Sequence, residues 1–463
     1  MVVVQASKIP LPSSSPSSSF SSSTAPTSVL FEPTSLSLAL THSDSSLSLF
    51  PSLSPFPSLS SLPSPQTLIP PPSTSSIFLL LRQASCSAPH VLFIVAGPHR
   101  GGSQILLRFY ALHRDGGAFT RPRIVCKQKG LTFQANSGVS VDFRHGLSVK
   151  LSGSVNFFSM YSISSSKVWV FAVKIAPNGT AGEEGSVLKL MKCAVIECCR
   201  PVWSICVAFG LMIFGEENGI RVFNLWSIAK VHDKKVNNMT SNLKSGTRGS
   251  RLPLGSVGEN ASKHPENSCH RHLEGKADKH FGSSKQKALK LKQAARVGHA
   301  YFIEFEKGDA VDLKFISKAV ASVKATHIQA VSPETFMVLD SGGDLHLLCL
   351  PKSKLSSGSK FDVQLKPLPH IMKVQHLAAL PDSSMRAETV WISDGLYSVH
   401  IIAGCGPDTA NGENDENDAE KRLRHISVEQ AIFTSEKIQA LLPVSSNGTL
   451  ILGQGSMYAY TIS

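Results

Sequence analysis

The stretch that decides the fold is Leu211-Met-Ile-Phe-Gly-Glu-Glu-Asn-Gly219, followed directly by Ile220-Arg-Val-Phe-Asn-Leu225. Two apolar runs flank a short polar turn that ends in Asn-Gly. Such a pattern is typical of a β-hairpin, because Asn and Gly tolerate the positive φ angles that tight hairpin turns require. The sequence therefore predicts a strand–turn–strand unit here.

The same unit recurs along the chain, at 36–50, 91–112, 160–175, 211–225, 336–350, 390–402 and 450–462. The turns lie near residues 44, 101, 164, 218, 342, 394 and 454, so successive turns are 57, 63, 54, 124, 52 and 60 residues apart. The long interval contains a basic, apolar-poor segment at 233–297, and removing its 65 residues leaves 59.

A repeat of this length built on one hairpin is typical of propeller blades. A small sheet cannot cover both of its faces alone, so it must stack on neighbours in a ring. We expect an all-β chain that forms a single β-propeller of about seven four-stranded blades with a disordered basic insert. Six or eight blades stay open, and so does a β-sandwich with an additional sheet.

Composition divides the chain further. Residues 1–75 contain 25 serines and many prolines, a composition that buries too little apolar surface to offset its ordering entropy. We expect a disordered N-terminus at 1–27 and blades 1–4 at 28–232, with a Ser/Pro-rich loop at about 51–75. The disordered basic insert follows at 233–297, and blades 5–7 follow at 298–463. The Ser-rich start also resembles a chloroplast transit peptide, and cleavage upstream of about residue 30 would leave this predicted propeller whole.

Most of the net charge of +13 belongs to one segment. Residues 231–299 hold 14 Lys and Arg against 5 acidic residues, which is +9 and leaves +4 for the rest of the chain. Such a run can be a solvated linker, a nuclear-import or docking signal, or a set of phosphate contacts. Phe281 is its one aromatic residue, which gives little support for base stacking. The candidate contacts are Lys234, Lys235, Arg248, Arg251, Lys285, Lys287, Lys290, Lys292 and Arg296.

The unit Gly219-Ile-Arg-Val-Phe-Asn-Leu225 resembles the blade ending of WD40 proteins. In that family a tight turn precedes a strand that closes with an aromatic residue and then Asp or Asn, and here Phe223 and Asn224 occupy those positions. The resemblance implies a divergent WD40-like propeller, similar to poorly characterised plant proteins of that kind. Trp226 follows where receptors of cullin ubiquitin ligases carry arginine, so the motif gives that role no support. No unit has a clear Gly-His pair ahead of it, which puts the His–Asp hydrogen-bond network of the family in doubt.

No catalytic pattern stands out in the sequence. Cys269-His270-Arg-His272 lacks the regular spacing of a zinc site, and Asn411 to Glu420 lacks the glycine position and flanking helices of a calcium loop. Gly97 to Ser103 is interpreted as a hairpin tip. Nine cysteines without a C-x-x-C pair are interpreted as thiols in a reducing compartment. We expect no metal, no cofactor and no membrane span.

These observations predict a non-enzymatic protein-interaction scaffold whose partners are one or more proteins. The alternative is a nucleic-acid-associated factor that uses the basic insert for phosphate contacts. An enzyme with its site in the central channel would need converging ionisable side chains, which are few on the predicted strands. The insert favours the nucleus or cytoplasm, with the chloroplast as the alternative.

Overall fold

A computed structural model of the chain describes its strands and many of the turns between them. Strands dominate these residues, together with a 3₁₀ turn at Arg100–Gly102 and one helical turn at residues 225–229. The described residues are 4–11, 25–53, 61–83, 89–113, 117–135, 137–142, 148–176, 187–229, 289–290, 296–297, 300–305, 322–350, 363–368, 372–380, 389–402, 428–445 and 447–462.

The described strands form seven mainly antiparallel sheets, which we number as blades in chain order. The first strand, β1 (Val4–Pro10), belongs to blade 7. Blade 1 contains β2 (Pro26–Glu32), β3 (Ser37–His42), β4 (Leu47–Phe50) and β5 (Thr67–Ile69). Blade 2 contains β6 (Ser75–Leu81), β7 (His90–His99), β8 (Gln104–Leu112), β9 (Phe119–Thr120), β11 (Leu131–Gln134) and β12 (Gly138–Asp142). Blade 3 contains β10 (Arg123–Val125), β13 (Val149–Gly153), β14 (Phe157–Ser162), β15 (Lys167–Ile175), β16 (Val187–Glu197) and β20 (Leu289–Lys290).

The second half of the ring repeats this arrangement. Blade 4 contains β17 (Ser204–Ala208), β18 (Leu211–Glu216), β19 (Gly219–Asn224), β21 (Arg296–Val297) and β22 (Ala300–Glu304). Blade 5 contains β23 (Ala325–Ala330), β24 (Thr335–Asp340), β25 (Leu345–Cys349) and β26 (Gln364–Leu368). Blade 6 contains β27 (His376–Ala379), β28 (Val390–Ser393), β29 (Ser398–Ile402) and β30 (Val428–Phe433). Blade 7 contains β31 (Ala440–Ser445), β32 (Gly448–Leu452) and β33 (Ser456–Ile462), with β1 as its fourth strand.

The second and third strands of every blade are one of the seven hairpins that the sequence predicts. These middle strands have neighbouring blades on both of their faces. All six residues of β18 and all six of β24 are buried as a result. Continuous apolar runs follow from burial on two faces, which explains why these strands are the ones visible in the sequence.

The hydrophobic core consists of clusters that each join two neighbouring blades. Going round, they join blades 1 and 2, 2 and 3, and so on to 6 and 7, and a last cluster joins blade 7 to blade 1. The inner strands follow the same order, from β2 through β6, β13, β17, β23, β27 and β31 back to β2. The blades therefore form a closed ring, which confirms the propeller and a count of seven and excludes the sandwich.

The ring is closed by pairing between the two ends of the chain. Strand β1 lies antiparallel to β33, with Val4 opposite Ile462 and Pro10 opposite Ser456. Ile9 is fully buried in the cluster between blades 7 and 1. The expectation of disorder at 1–27 is therefore wrong for residues 4–10, and also for residues 26–27, where β2 begins. Cleavage upstream of residue 30 would remove this strand and would not leave the propeller whole.

The basic segment interrupts blade 4 instead of following it. Strand β22 pairs with β19, so residues 300–304 complete the fourth blade, and blade 5 begins only at β23. Two short strands also lie inside the segment: β20 pairs in parallel with β16 of blade 3, and β21 pairs with β22. These four residues are the part of 233–297 that the structure describes. Strands of two residues are too short to show an alternating pattern of apolar and polar residues, so the sequence did not predict β20 and β21.

The two faces of the ring differ in their connections. The predicted hairpin turns lie on one face, which we call the turn face, together with the linkers that lead into the next inner strand. Turn and linker bond to each other there, as when the Ile438 N–H donates to the Leu396 carbonyl over 2.8 Å. Third strands end on the opposite face, the loop face, where the Leu225 N–H donates to the Gly210 carbonyl over 2.9 Å. The connection at 230–299 therefore leaves the ring from the loop face.

Candidate partner-binding surfaces

The structure places two of the nine basic residues predicted as contacts. Lys290 lies in β20 and Arg296 in β21, at the outer edges of blades 3 and 4. The rest lie outside the described residues: Lys234, Lys235, Arg248, Arg251, Lys285, Lys287 and Lys292. The Cys269–His272 and Asn411–Glu420 motifs lie outside them as well. A role for these nine residues stays a prediction.

The Phe-Asn pair at the end of β19 anchors the chain to blade 4 just before the basic segment begins. Phe223 is buried and lies 4.7 Å from Phe214, measured between ring centroids. The Asn224 side-chain oxygen accepts the Ser227 N–H over 3.1 Å, the bond expected of a helix N-cap. The following helical turn leaves Trp226 exposed on the loop face, with its ring edge-on to that of Phe157 at 5.3 Å.

Carboxylates hold the turns of the turn face in place. In blade 5, Asp340 accepts hydrogen bonds from the N–H groups of Gly342 and Asp344, and its second oxygen lies 2.9 Å from Nε2 of His346. Burial alone would raise the pKa of Asp340, but these bonds outweigh it and lower the pKa. A His–Asp pair is therefore present in this blade, within a single hairpin.

In blade 7, the turn is held by Glu436, which lies in the linker before β31. It accepts the N–H groups of Gly455 and Ser456 and the hydroxyl of Tyr458. Burial opposes ionisation, yet these bonds lower the pKa of Glu436 to about 2. Lys8 of the closing strand lies 3.5 Å from the same carboxylate. The ion pair thus ties β1 to the turn face of blade 7.

Three large apolar side chains are exposed together on the turn face of blade 6. Leu396 is 48% exposed, Tyr397 is 53% exposed and Phe433 is 74% exposed. Phe433 pairs with Ser398 in the sheet, and the Thr434 N–H donates to the Tyr397 carbonyl over 2.8 Å. The two segments are therefore neighbours. We call Leu396, Tyr397 and Phe433 the blade 6 patch.

The turn that carries the patch is rigidly built. Asp394 accepts the Leu396 N–H over 2.8 Å, and the Ser393 hydroxyl accepts the Gly395 N–H over 3.0 Å. Gly395 has φ +73°, and a Cβ there would lie 2.3 Å from the Gln375 side chain, so any other residue would be strained at this position. Sequence reasoning assigned Leu396 and Tyr397 to a strand. Two large apolar residues directly after an Asp-Gly turn were the available signal.

The central channel is lined largely by neutral side chains. On the inner strands, within the described ranges, the lysine, histidine and acidic residues are Lys150, His327 and His376, plus Glu32 at the loop-face end of β2. Desolvation lowers the pKa of His327, although its side chain is partly exposed, and the nearby charge of His376 acts in the same direction. Burial likewise lowers the pKa of His376. Both imidazoles are therefore mainly neutral at pH 7.

In the part of the chain that the structure describes, no group of three or more His, Cys, Asp or Glu side chains is arranged to hold a metal ion. No described helix is long and apolar enough to cross a membrane. Burial raises the pKa of Cys198 and of Cys206 to about 12, so these two thiols are poor nucleophiles at neutral pH.

The chain resembles known proteins in its overall fold. No family model matches the sequence, and no curated protein matches it. Among solved structures, the chain is similar to the β-propeller domain of Cps50 (Swd1) from Myceliophteria thermophila, with 10% identity, 95% of this chain and 97% of that chain covered, and a TM-score of 0.46. It is also similar to the RRP9 WD40 repeats and to U3-55K, each with 9% identity, 95% of both chains covered and a TM-score of 0.42. No partner or activity follows from these similarities.

The strand pairing itself defines the class of protein. Seven blades, each with four core strands, surround one channel, and the strand from the start of the chain completes the last blade. The chain is a seven-bladed β-propeller.

Proposed function

We propose that this protein is a non-enzymatic protein-interaction scaffold and that the blade 6 patch is a docking surface for a partner protein. The observation that carries the proposal is the exposure of Leu396 and Tyr397 on one turn and of Phe433 at the end of the neighbouring strand β30. Single exposed apolar residues are ordinary on protein surfaces, whereas several together mark interaction sites. Tyrosine and other aromatic residues also dominate the energetics of known interfaces.

The ring supports this use of the patch. Each blade is packed on both sides, so a partner meets a preformed surface and few groups must be ordered on binding. The hydrogen bonds of Ser393 and Asp394 fix the turn before any partner arrives. Burial of Tyr397 and Phe433 against a partner would then contribute to affinity with little conformational cost.

The test replaces the aromatic residues of the patch. In the full chain, Tyr397→Ser combined with Phe433→Ser is expected to weaken partner binding about tenfold or more, the usual effect of losing an aromatic hot spot. A photo-crosslinking residue placed at position 433 should capture the same partner from native tissue extract. The readout is the set of proteins recovered and, once one is purified, its dissociation constant.

Leu68→Ser is the matched control, because Leu68 is 71% exposed on the outer strand of blade 1, away from the patch. It should leave binding unchanged, and a crosslinker at position 68 should not capture the partner. Equal capture at both positions, or affinity unaffected by the double substitution, would refute the docking role of the patch. Recovery of no reproducible protein would refute the scaffold itself.

A second function is favoured by the charge of the basic segment. We propose it as the alternative: the connection at 233–297, with +9 over residues 231–299, contacts nucleic-acid phosphates. Such binding is electrostatic and falls steeply with salt concentration. It would also suit a nuclear or cytoplasmic protein, which a C-terminal fluorescent fusion would locate.

The strand pairing shows how to remove the segment cleanly. Phe223 and Ala300 face each other in blade 4, so a short Gly/Ser loop can join β19 to β22 after residues 233–297 are deleted. If the alternative is right, the deletion abolishes most RNA or DNA binding and flattens its salt dependence, as measured by filter binding between about 50 and 200 mM salt. Unchanged affinity would exclude the segment as the nucleic-acid contact.

A further inference from the structure

Two lysines are held against one tryptophan at the turn-face mouth of the channel. Trp203 directly precedes the inner strand of blade 4, and its N–H donates to the Gly215 carbonyl over 2.8 Å, which fixes it to the sheet. Lys324, directly before the inner strand of blade 5, places its ammonium 4.2 Å from the centre of the Trp203 rings. Lys150, on the inner strand of blade 3, donates to the Trp203 carbonyl over 3.1 Å. Three successive blades therefore contribute to one cluster.

Neither lysine of this cluster forms an ion pair with a described residue. Glu217 lies opposite Lys324 in an isolated β-bridge, but its carboxylate is not within ion-pair distance. Glu32, the one acidic residue on the described inner strands, lies at the opposite end of the channel, where the N–H groups of Thr34 and Ser35 occupy it. The residues that precede the other inner strands are all neutral: Ala25, Thr74, Ser148, Gln375 and Gln439.

Two ammonium groups on one residue repel each other, which costs free energy. A bound anion would remove that cost. It would also gain charge-assisted hydrogen bonds from two preset donors. Trp203 is itself 37% exposed and offers an apolar surface next to the charges. The cluster thus combines two cations with one aromatic contact.

We propose that the Lys150–Trp203–Lys324 cluster binds an anionic side chain, a carboxylate or a phosphate, presented by an extended segment of a protein partner. The site is separate from the blade 6 patch and adds a ligand chemistry that the scaffold function does not specify. A peptide suits it better than single-stranded nucleic acid. Successive bases stack on several aromatic rings. Among the described residues at the starts of the inner strands, Trp203 is the one aromatic residue, and Lys324 already lies over its rings.

The experiment titrates the full-length chain with three peptides of one Gly/Ser-rich sequence that differ at a single position, which is phosphoserine, glutamate or serine. Tryptophan fluorescence and calorimetry report binding. The phosphoserine or glutamate peptide is expected to bind and the serine peptide is not, and the stronger of the two identifies the anion. Lys150→Met combined with Lys324→Met is expected to weaken binding about tenfold or more, with thermal unfolding followed to confirm an intact fold.

Lys189→Met is the matched control, since Lys189 is an exposed lysine on the outer strand of blade 3. It should leave binding unchanged. Equal binding of the serine peptide, or full affinity in the double variant, would overturn the proposal. Binding of a single-stranded oligonucleotide that the double variant loses, with neither anionic peptide bound, would overturn it in favour of nucleic acid. These peptide-binding results do not depend on partner binding at the blade 6 patch. Either proposal can therefore be refuted without refuting the other.

Discussion

Removal of residues 1–11 is expected to destabilise the whole propeller. The deletion takes away β1, which pairs along its full length with β33, and the buried side chains of Ile9 and Leu11. Burial of two such side chains contributes about 3–6 kcal/mol, a large share of the roughly 5–15 kcal/mol that keeps a typical protein folded. The free energy of unfolding in urea should fall by at least this amount.

The deletion also exposes the edge of β33, and unpaired edges promote self-association. Size-exclusion chromatography should therefore show aggregates that the full chain lacks. Ile9→Asp tests the same contact without shortening the chain and should act in the same direction. Ala6→Ser is its control, because Ala6 is an exposed position of the same strand. Unfolding midpoints that match in all four proteins would show that β1 does not close the ring.

Glu216→Leu is expected to cost about 3–5 kcal/mol, because it leaves a buried guanidinium without its counter-ion. Glu216 and Arg221 are both buried in blade 4 and form two bonds, at 2.6 Å and 3.0 Å. The Arg221 side chain also lies 4.9 Å from the ring of Phe302. The double variant Glu216→Leu with Arg221→Met should recover most of the loss, since two apolar residues need no partner.

An exposed ion pair provides the comparison. Lys167 and Glu197 approach to 3.1 Å with both side chains partly exposed, and Lys167→Met should cost less than about 1 kcal/mol. The three variants and the unmodified chain can be measured by chemical denaturation at one pH. If Glu216→Leu costs no more than Lys167→Met, the buried pair does not stabilise blade 4. If the double variant recovers nothing, the loss reflects packing and not charge.

The middle strands of the blades were predictable because their surroundings make a local pattern. A strand such as β24 is buried along its whole length, so it appears as an uninterrupted apolar run beside a polar turn. The even spacing of those turns then indicated the ring. No long-range information was needed for this, since every hairpin pairs residues that are close in the chain.

The outer strands and the surfaces were harder to predict for the opposite reason. Strand β1 buries Ile9 but leaves Ala6 and Lys8 exposed. It therefore has too few large apolar residues to stand out as a strand in the sequence. The blade 6 patch joins a turn residue, Tyr397, to the end of a strand that lies beyond a long connection. The residues of the Lys150–Trp203–Lys324 cluster come from three different blades. Nothing in the local sequence marks either combination.

Local patterning alone was enough to establish an all-β chain of repeated hairpins and to localise its positive charge in one segment. Tertiary structure decided which strand closes the ring, that the basic segment interrupts blade 4, and which side chains meet on the turn face. The physical reason is that a hairpin is stabilised by neighbours in the chain. Closure and surface clusters depend on contacts between residues that only the completed circle brings together.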